Sequence, residues 1–119
     1  MLRTMYATYM VKTKRINIRG KRWTVNLQSD AEFDLQHGPD TWAITYGEER
    51  TIYFKQSHLD LPTIIHELFH GYCKELFLNS ANLDIDQHEE VIAEFLGDHL
   101  GELNRKANQL HKWINVIHK

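Results

Sequence analysis

From Val11 to Lys55 the pattern is that of strands and turns, with apolar and polar residues alternating in short runs, and beyond Lys55 the period lengthens to that of helices. Between Arg22 and Gln28, Trp23, Val25 and Leu27 fall on one face, with Arg22, Thr24, Asn26 and Gln28 on the other. Gly20-Lys21 separates this run from Lys12 to Arg19, which predicts a hairpin. Ser29 to Asp40 contains Gly38-Pro39 and four acids and reads as a loop with room for a short helical turn. Trp42 to Tyr46 and Thr51 to Lys55 alternate around Gly47-Glu48-Glu49-Arg50, which predicts a second hairpin.

Asp60-Leu61-Pro62 then supplies a capping acid and a proline suited to a first helical turn. Ile65, Phe69, Tyr72 and Leu76 form one helical stripe, ending near Leu78. Asn79 to Asp84 is a connection. Asp86 with Glu89 resembles a capping box that opens a second helix, with Ala93, Leu96, Leu100 and Leu103 as its apolar residues. Leu110, Trp113, Ile114 and Ile117 mark a third amphipathic segment, either continuous with the second or broken near Asn104.

The chain has 119 residues, enough for one core and too few for two, so residues 1–119 read as a single domain. Hydrophobic residues at 42% and charged residues at 25% exclude a disordered or fibrous class. No apolar run approaches the roughly 18 residues of a membrane span, and Met1 to Val11 lacks the features of a secretory signal. Cys73 is the single cysteine and points to a reducing cytoplasm. Net charge is −2, but residues 1–29 alone carry +7. Nucleic-acid contact through that segment would call for aromatics interleaved with the basic residues, and Trp23 is the only aromatic between Val11 and Gln28. Solvated outer faces of strands explain the charge, and no nucleic-acid partner is expected.

His66-Glu67-Leu68-Phe69-His70 is an HExxH motif inside the first helix. At about 100° per residue its histidines lie about 40° apart on one face, so both can reach one metal ion while Glu67 stands beside them to act on water. A shuffled chain of this composition would contain about 0.04 such matches, so the helical context carries weight beside the motif. A hydrolytic zinc site takes three protein ligands and one open position. On the second helix Glu90, Glu94, Gly97, Asp98 and Gly101 share a side, a carboxylate-and-glycine stripe expected to pack against the HExxH helix. Cys73 reads as a small buried residue, and His88, His99, His111 and His118 as ordinary surface or boundary histidines. The Trp113, Ile114 and Ile117 cluster reads as core.

HExxH followed by a glutamate on the next helix resembles the glutamate-ligand zincins, of which thermolysin is the familiar member. Glu90-Val91-Ile92-Ala93-Glu94-Phe95-Leu96-Gly97 resembles the ExxAN-x-FA helix of the compact ImmA/IrrE-like metallopeptidases and related phage-type proteins. That resemblance makes Glu90 the third ligand and Glu94 a residue that supports the ligands. Glu94 stands where the pattern has Asn. In the ExxxD pattern of thermolysin-like enzymes Glu94 would instead be the ligand and Asp98 its orienting acid. The resemblance spans Thr63 to Leu100; it also implies that an edge strand, here Thr51 to Lys55, pairs with the substrate backbone.

The expected fold is α+β: a small antiparallel or mixed sheet, the HExxH helix, a third-ligand helix and a C-terminal helix. The expected function is hydrolysis of peptide bonds in a protein or peptide substrate, with one Zn2+ per chain held by His66, His70 and Glu90 and with Glu67 as general base. A zinc-binding regulatory or structural module without peptidase activity is the alternative, although such a module has no need of Glu67.

Overall fold

A computed structural model describes residues 12–76 and 85–117, with the backbone alone at 85, 86 and 88. Strand β1, Thr13–Ile18, pairs antiparallel with β2, Lys21–Gln28. Their turn is Arg19–Gly20, at φ 53° and 82°. Two left-handed residues match the twist of the flanking strands, and glycine adopts that conformation at no steric cost. Lys21, expected in the turn, is the first residue of β2. The alternation read from the sequence holds, with Trp23, Val25 and Leu27 buried.

Helix α1, Asp30–His37, occupies most of the stretch expected as a loop. Ser29 caps it, its Oγ accepting from the Glu32 amide at 3.2 Å, and Gly38 ends it at φ 95°. The turn grows to eight residues because Phe33 has somewhere to go: it is fully buried against His37, which in turn packs on Tyr53.

Strands β3, Ala43–Tyr46, and β4, Thr51–Lys55, form the second hairpin. The two hairpins join through a parallel β2–β4 pair, in the order β1-β2-β4-β3. This corrects the expectation that Thr51 to Lys55 forms the edge. β4 buries Ile52, Phe54 and Lys55, so it takes an interior position, whereas all four residues of β3 are half-buried and β3 takes the edge. Lys55 is tolerated inside because its Nζ donates to Asp34 of α1 at 2.7 Å.

Helix α2, Leu61–Glu75, starts as expected: Asp60 Oδ1 accepts from the Thr63 amide at 2.8 Å and Pro62 lies in the first turn. Its predicted end near Leu78 and the connection from Asn79 to Asp84 lie outside the described residues. Two of its sides are covered. On one, Phe69 and Tyr72 meet Phe95 with ring centroids 5.0 and 5.8 Å apart. On the other, Ile64, Leu68 and Gly71 join the sheet core, and a Cβ added to Gly71 would stand 2.8 Å from Ile18 Cδ1. Glycine at 71 thus sets how closely the helix rides on the strands.

Helix α3, Ile85–Ile117, is one unbroken helix of 33 residues with no interruption near Asn104, and Asp86 lies inside it. It is about 50 Å long at 1.5 Å per residue, close to the 56 Å length of the molecule. Its buried residues are Phe95, Leu103, Ala107, Leu110 and Ile114, with Trp113 and Ile117 packed against them. Of the four apolar residues read for this helix, Leu103 is buried, whereas Ala93, Leu96 and Leu100 are exposed. The carboxylate-and-glycine side does not pack against α2 either, since nothing lies within 4 Å of a Cβ added to Gly97 or Gly101. Phe95 decides the rotation, because an aromatic that buries about 150–250 Å² outweighs the smaller residues beside it. Together these elements are an α+β fold with a four-stranded mixed sheet and three helices. Among the described residues no helix is long and apolar enough to cross a membrane.

Candidate metal centre

The middle of α2 is fixed by its two covered sides, which leave His66 and His70 on the exposed one. Their Nε2 atoms stand 3.2 Å apart, with the rings nearly edge to face at 74°. At that distance one ring's Nε2–H can donate to the other, or both nitrogens can turn their lone pairs to one cation. Two nitrogens bound tetrahedrally at about 2.0–2.1 Å to zinc would be about 3.3 Å apart. The pair therefore fits two neighbouring corners of a zinc site.

Glu67 differs from its neighbours in being buried, at 6% exposure. Thr45 of β3 holds it: the hydroxyl lies 2.7 Å from Glu67 Oε1 and 3.2 Å from the Glu67 backbone oxygen. The other carboxylate oxygen, Oε2, is left 3.9 Å from His66 Nε2. One oxygen is thus committed to the edge strand and the other faces the imidazoles. A carboxylate so placed accepts a proton from a group beside the histidines.

Strand β3 borders this site with an edge that is unpaired among the described residues. Trp42 O accepts from Lys55 N at 3.2 Å on the β4 side. Antiparallel alternation then directs the N–H and C=O groups of Ala43 and Thr45 outward. Two cavities follow that edge. Asp40, Trp42, Pro62 and Thr63 wall one of about 500 Å³, while Thr41, Ile44, Gly47 and Lys74 wall another of about 340 Å³. Ala43, His66 and Glu67 border both, so the histidine pair sits at their junction.

The structure brings His66, Glu67 and His70 together and does not bring the α3 acids to them. Glu90, Glu94 and Asp98 are exposed, and Glu94 and Asp98 line a separate cavity of about 160 Å³ with Leu76 and His99. Among the described residues no three His, Cys, Asp or Glu side chains form a group that could hold a metal. Cys73 is buried, as expected, and burial pushes its thiol pKa up, which suits an inert packing role. His99 is half-buried against Tyr72 and Phe95, and His111 is half-buried. The side chains of His88 and His118 lie outside the described residues.

Sequence reasoning did not single out Thr45, Asp40 or Trp42. Strand parity places Thr45 on the same face as Ala43, but only the packing of α2 across that face shows that its hydroxyl meets Glu67. Nor did it single out Glu75, which anchors the end of α2. Burial by itself would raise the Glu75 carboxyl, but hydrogen bonds from Arg50 Nε at 2.6 Å and Trp23 Nε1 at 2.9 Å outweigh this and hold it below the usual range.

Compared with known proteins, the chain significantly matches no family model, no curated protein and no solved structure.

Proposed function

We propose that the protein is a zinc-dependent peptidase of the HExxH type, a compact zincin resembling the ImmA/IrrE-like enzymes. The observation that carries this reading is the 3.2 Å approach of the His66 and His70 Nε2 atoms with Glu67 buried beside them and tied to an open strand. His66 and His70 would hold the ion, and an acid of α3 would complete the set, Glu90 before Glu94, with Asp98 in support if Glu94 ligates. A zinc ion bound there supplies an acidified water and polarises the scissile carbonyl.

The chain's own groups do the rest. The outward N–H and C=O groups of Ala43 and Thr45 pair with an extended peptide, adding a strand to the sheet. That pairing lays the peptide over Glu67, whose free oxygen accepts the proton of the attacking water and returns it to the leaving nitrogen. Thr45 keeps the carboxylate oriented throughout. The site would work in the cytoplasm, where the single thiol of Cys73 stays reduced.

The test is metal analysis of purified wild-type protein together with His66→Ala, His70→Ala and Glu67→Gln variants. About one zinc per chain is expected in wild type and in Glu67→Gln, and loss of zinc in either histidine variant. Equal zinc content in all four proteins would remove the site. If Glu67→Gln retains zinc yet cleaves a verified peptide at the wild-type rate, Glu67 is not the base.

A further inference from the structure

The larger cavity beside the histidine pair is not electrically neutral. Among the described residues, the charged side chains on its walls are the carboxylates of Asp40 and Glu67, with no lysine or arginine. Glu67 is committed to Thr45, whereas Asp40 forms no hydrogen bond or ion pair among the described residues and is exposed. The cavity at the other end of the edge strand differs in that Lys74 lines it beside Glu67, with the Lys74 Nζ 3.1 Å from Glu48.

Trp42 adds a second observation. Its side chain is 59% exposed, unusual for a tryptophan without a partner. His58 stacks on one indole face, with ring centroids 4.5 Å apart and planes 16° apart. Trp42 is among the walls of the cavity and His58 is not. Pro62 and Ala43 extend that apolar surface. An apolar wall that also carries a carboxylate without a partner among the described residues complements a side chain with a long aliphatic stem and a cationic head.

We propose that this cavity receives an arginine or lysine side chain of the bound peptide, with Trp42 and Pro62 along its stem and Asp40 at its charged end. The proposal rests on the peptidase reading and assigns it a substrate class, peptides with a basic residue close to the scissile bond. Asp40 and Trp42 then determine specificity and take no part in bond cleavage.

The experiment uses the full chain and three fluorescein-labelled, end-capped decapeptides that differ at one central position: arginine, norleucine or glutamate in an alanine–glycine background. Fluorescence polarisation gives binding, and mass spectrometry of the same mixtures gives cleavage. The arginine peptide is expected to bind about tenfold tighter than norleucine and tighter still than glutamate. Asp40→Asn and Trp42→Ala should each remove most of that preference, and Asp40→Lys should move it toward glutamate. Equal binding of arginine and norleucine overturns the proposal. So does a preference that survives in both Asp40→Asn and Trp42→Ala, and so does no measurable binding of the arginine peptide in the millimolar range. Cleavage is scored separately: a binding preference that behaves as expected with no cleavage of any peptide refutes the peptidase reading and leaves the basic-residue pocket standing.

Discussion

Ile64 and Leu68 of α2 are wholly buried, whereas Ile92 and Leu96, equally apolar residues near the start of α3, are each 50% exposed. The two helices carry the two halves of the proposed ligand set, and they are held differently. The histidine half is clamped from both sides, by the sheet through Leu68 and Gly71 and by α3 through Phe69 and Tyr72. The acid half lies on a stretch that packs inward mainly through Phe95. One half is therefore fixed by the core on two sides, and the other lies on the first turns of a helix whose buried residues, apart from Phe95, come later, at Leu103, Ala107, Leu110 and Ile114.

The largest effect should come from breaking the clamped half. Leu68→Ala removes a fully buried side chain and should destabilise the protein by about 2–5 kcal/mol in urea or thermal unfolding. A loss below about 1 kcal/mol would mean that α2 is not the packing centre of the fold.

The next effect sharpens the comparison at the acids. With Glu90 as a direct ligand, Glu90→Gln should lower zinc affinity by more than about 100-fold, and Glu94→Gln by about 10- to 100-fold, as for a residue that orients a ligand. Competition with a chromophoric chelator measures both. The reverse order would give Glu94 the ligand role and Asp98 the supporting one.

A smaller effect belongs to the far end of α2. The Glu75 carboxyl is held below its ordinary value, so the folded state binds fewer protons than the unfolded chain in acid. Its contribution is complete above the ordinary glutamate value of about 4.3 and is lost as pH falls through the lower folded value. Glu75→Gln should melt a few degrees below wild type at pH 7, and the gap should close below about pH 4. A gap that is constant with pH would show that the charge on Glu75 is not what anchors the helix.

The smallest effect tests the loosely held half directly. Leu96→Glu should change stability by no more than about 0.5 kcal/mol, as for an exposed position. A cost above about 2 kcal/mol would show that this face is covered in solution.

How much of this is legible in the sequence follows from range. The HExxH pair is a local property, because four residues along one helix always share a side, and Thr63 to Glu75 needs no distant partner to present it. The Asp60 cap and the alternation of Trp23, Val25 and Leu27 are local for the same reason. The strand order is not local: β4 lies inside the sheet because Ile52 and Phe54 have core on both sides, and alternation alone does not distinguish that from an edge. The rotation of α3 is not local either, since Phe95 finds a slot between Phe69 and Tyr72 that belongs to another helix. The bond from Thr45 to Glu67 joins residues 22 apart in the chain, and no motif links them.

The open edge of β3 has a consequence for the protein in a crowded solution. Backbone groups free to meet a peptide are equally free to meet another copy of the chain, and β3, Ala-Ile-Thr-Tyr, carries no charge to repel one. The opposite edge, β1, carries Lys14 and Arg15. Protection of β3 comes instead from brevity and from its borders: the strand is four residues long, with Pro39 and Asp40 shortly before it and Glu48 and Glu49 in the turn after it. A neighbouring molecule can lay down too few hydrogen bonds there to start a ribbon, and the acids of two such turns would oppose each other. Extending the strand or neutralising Glu48 and Glu49 would convert this open edge into a nucleus for aggregation.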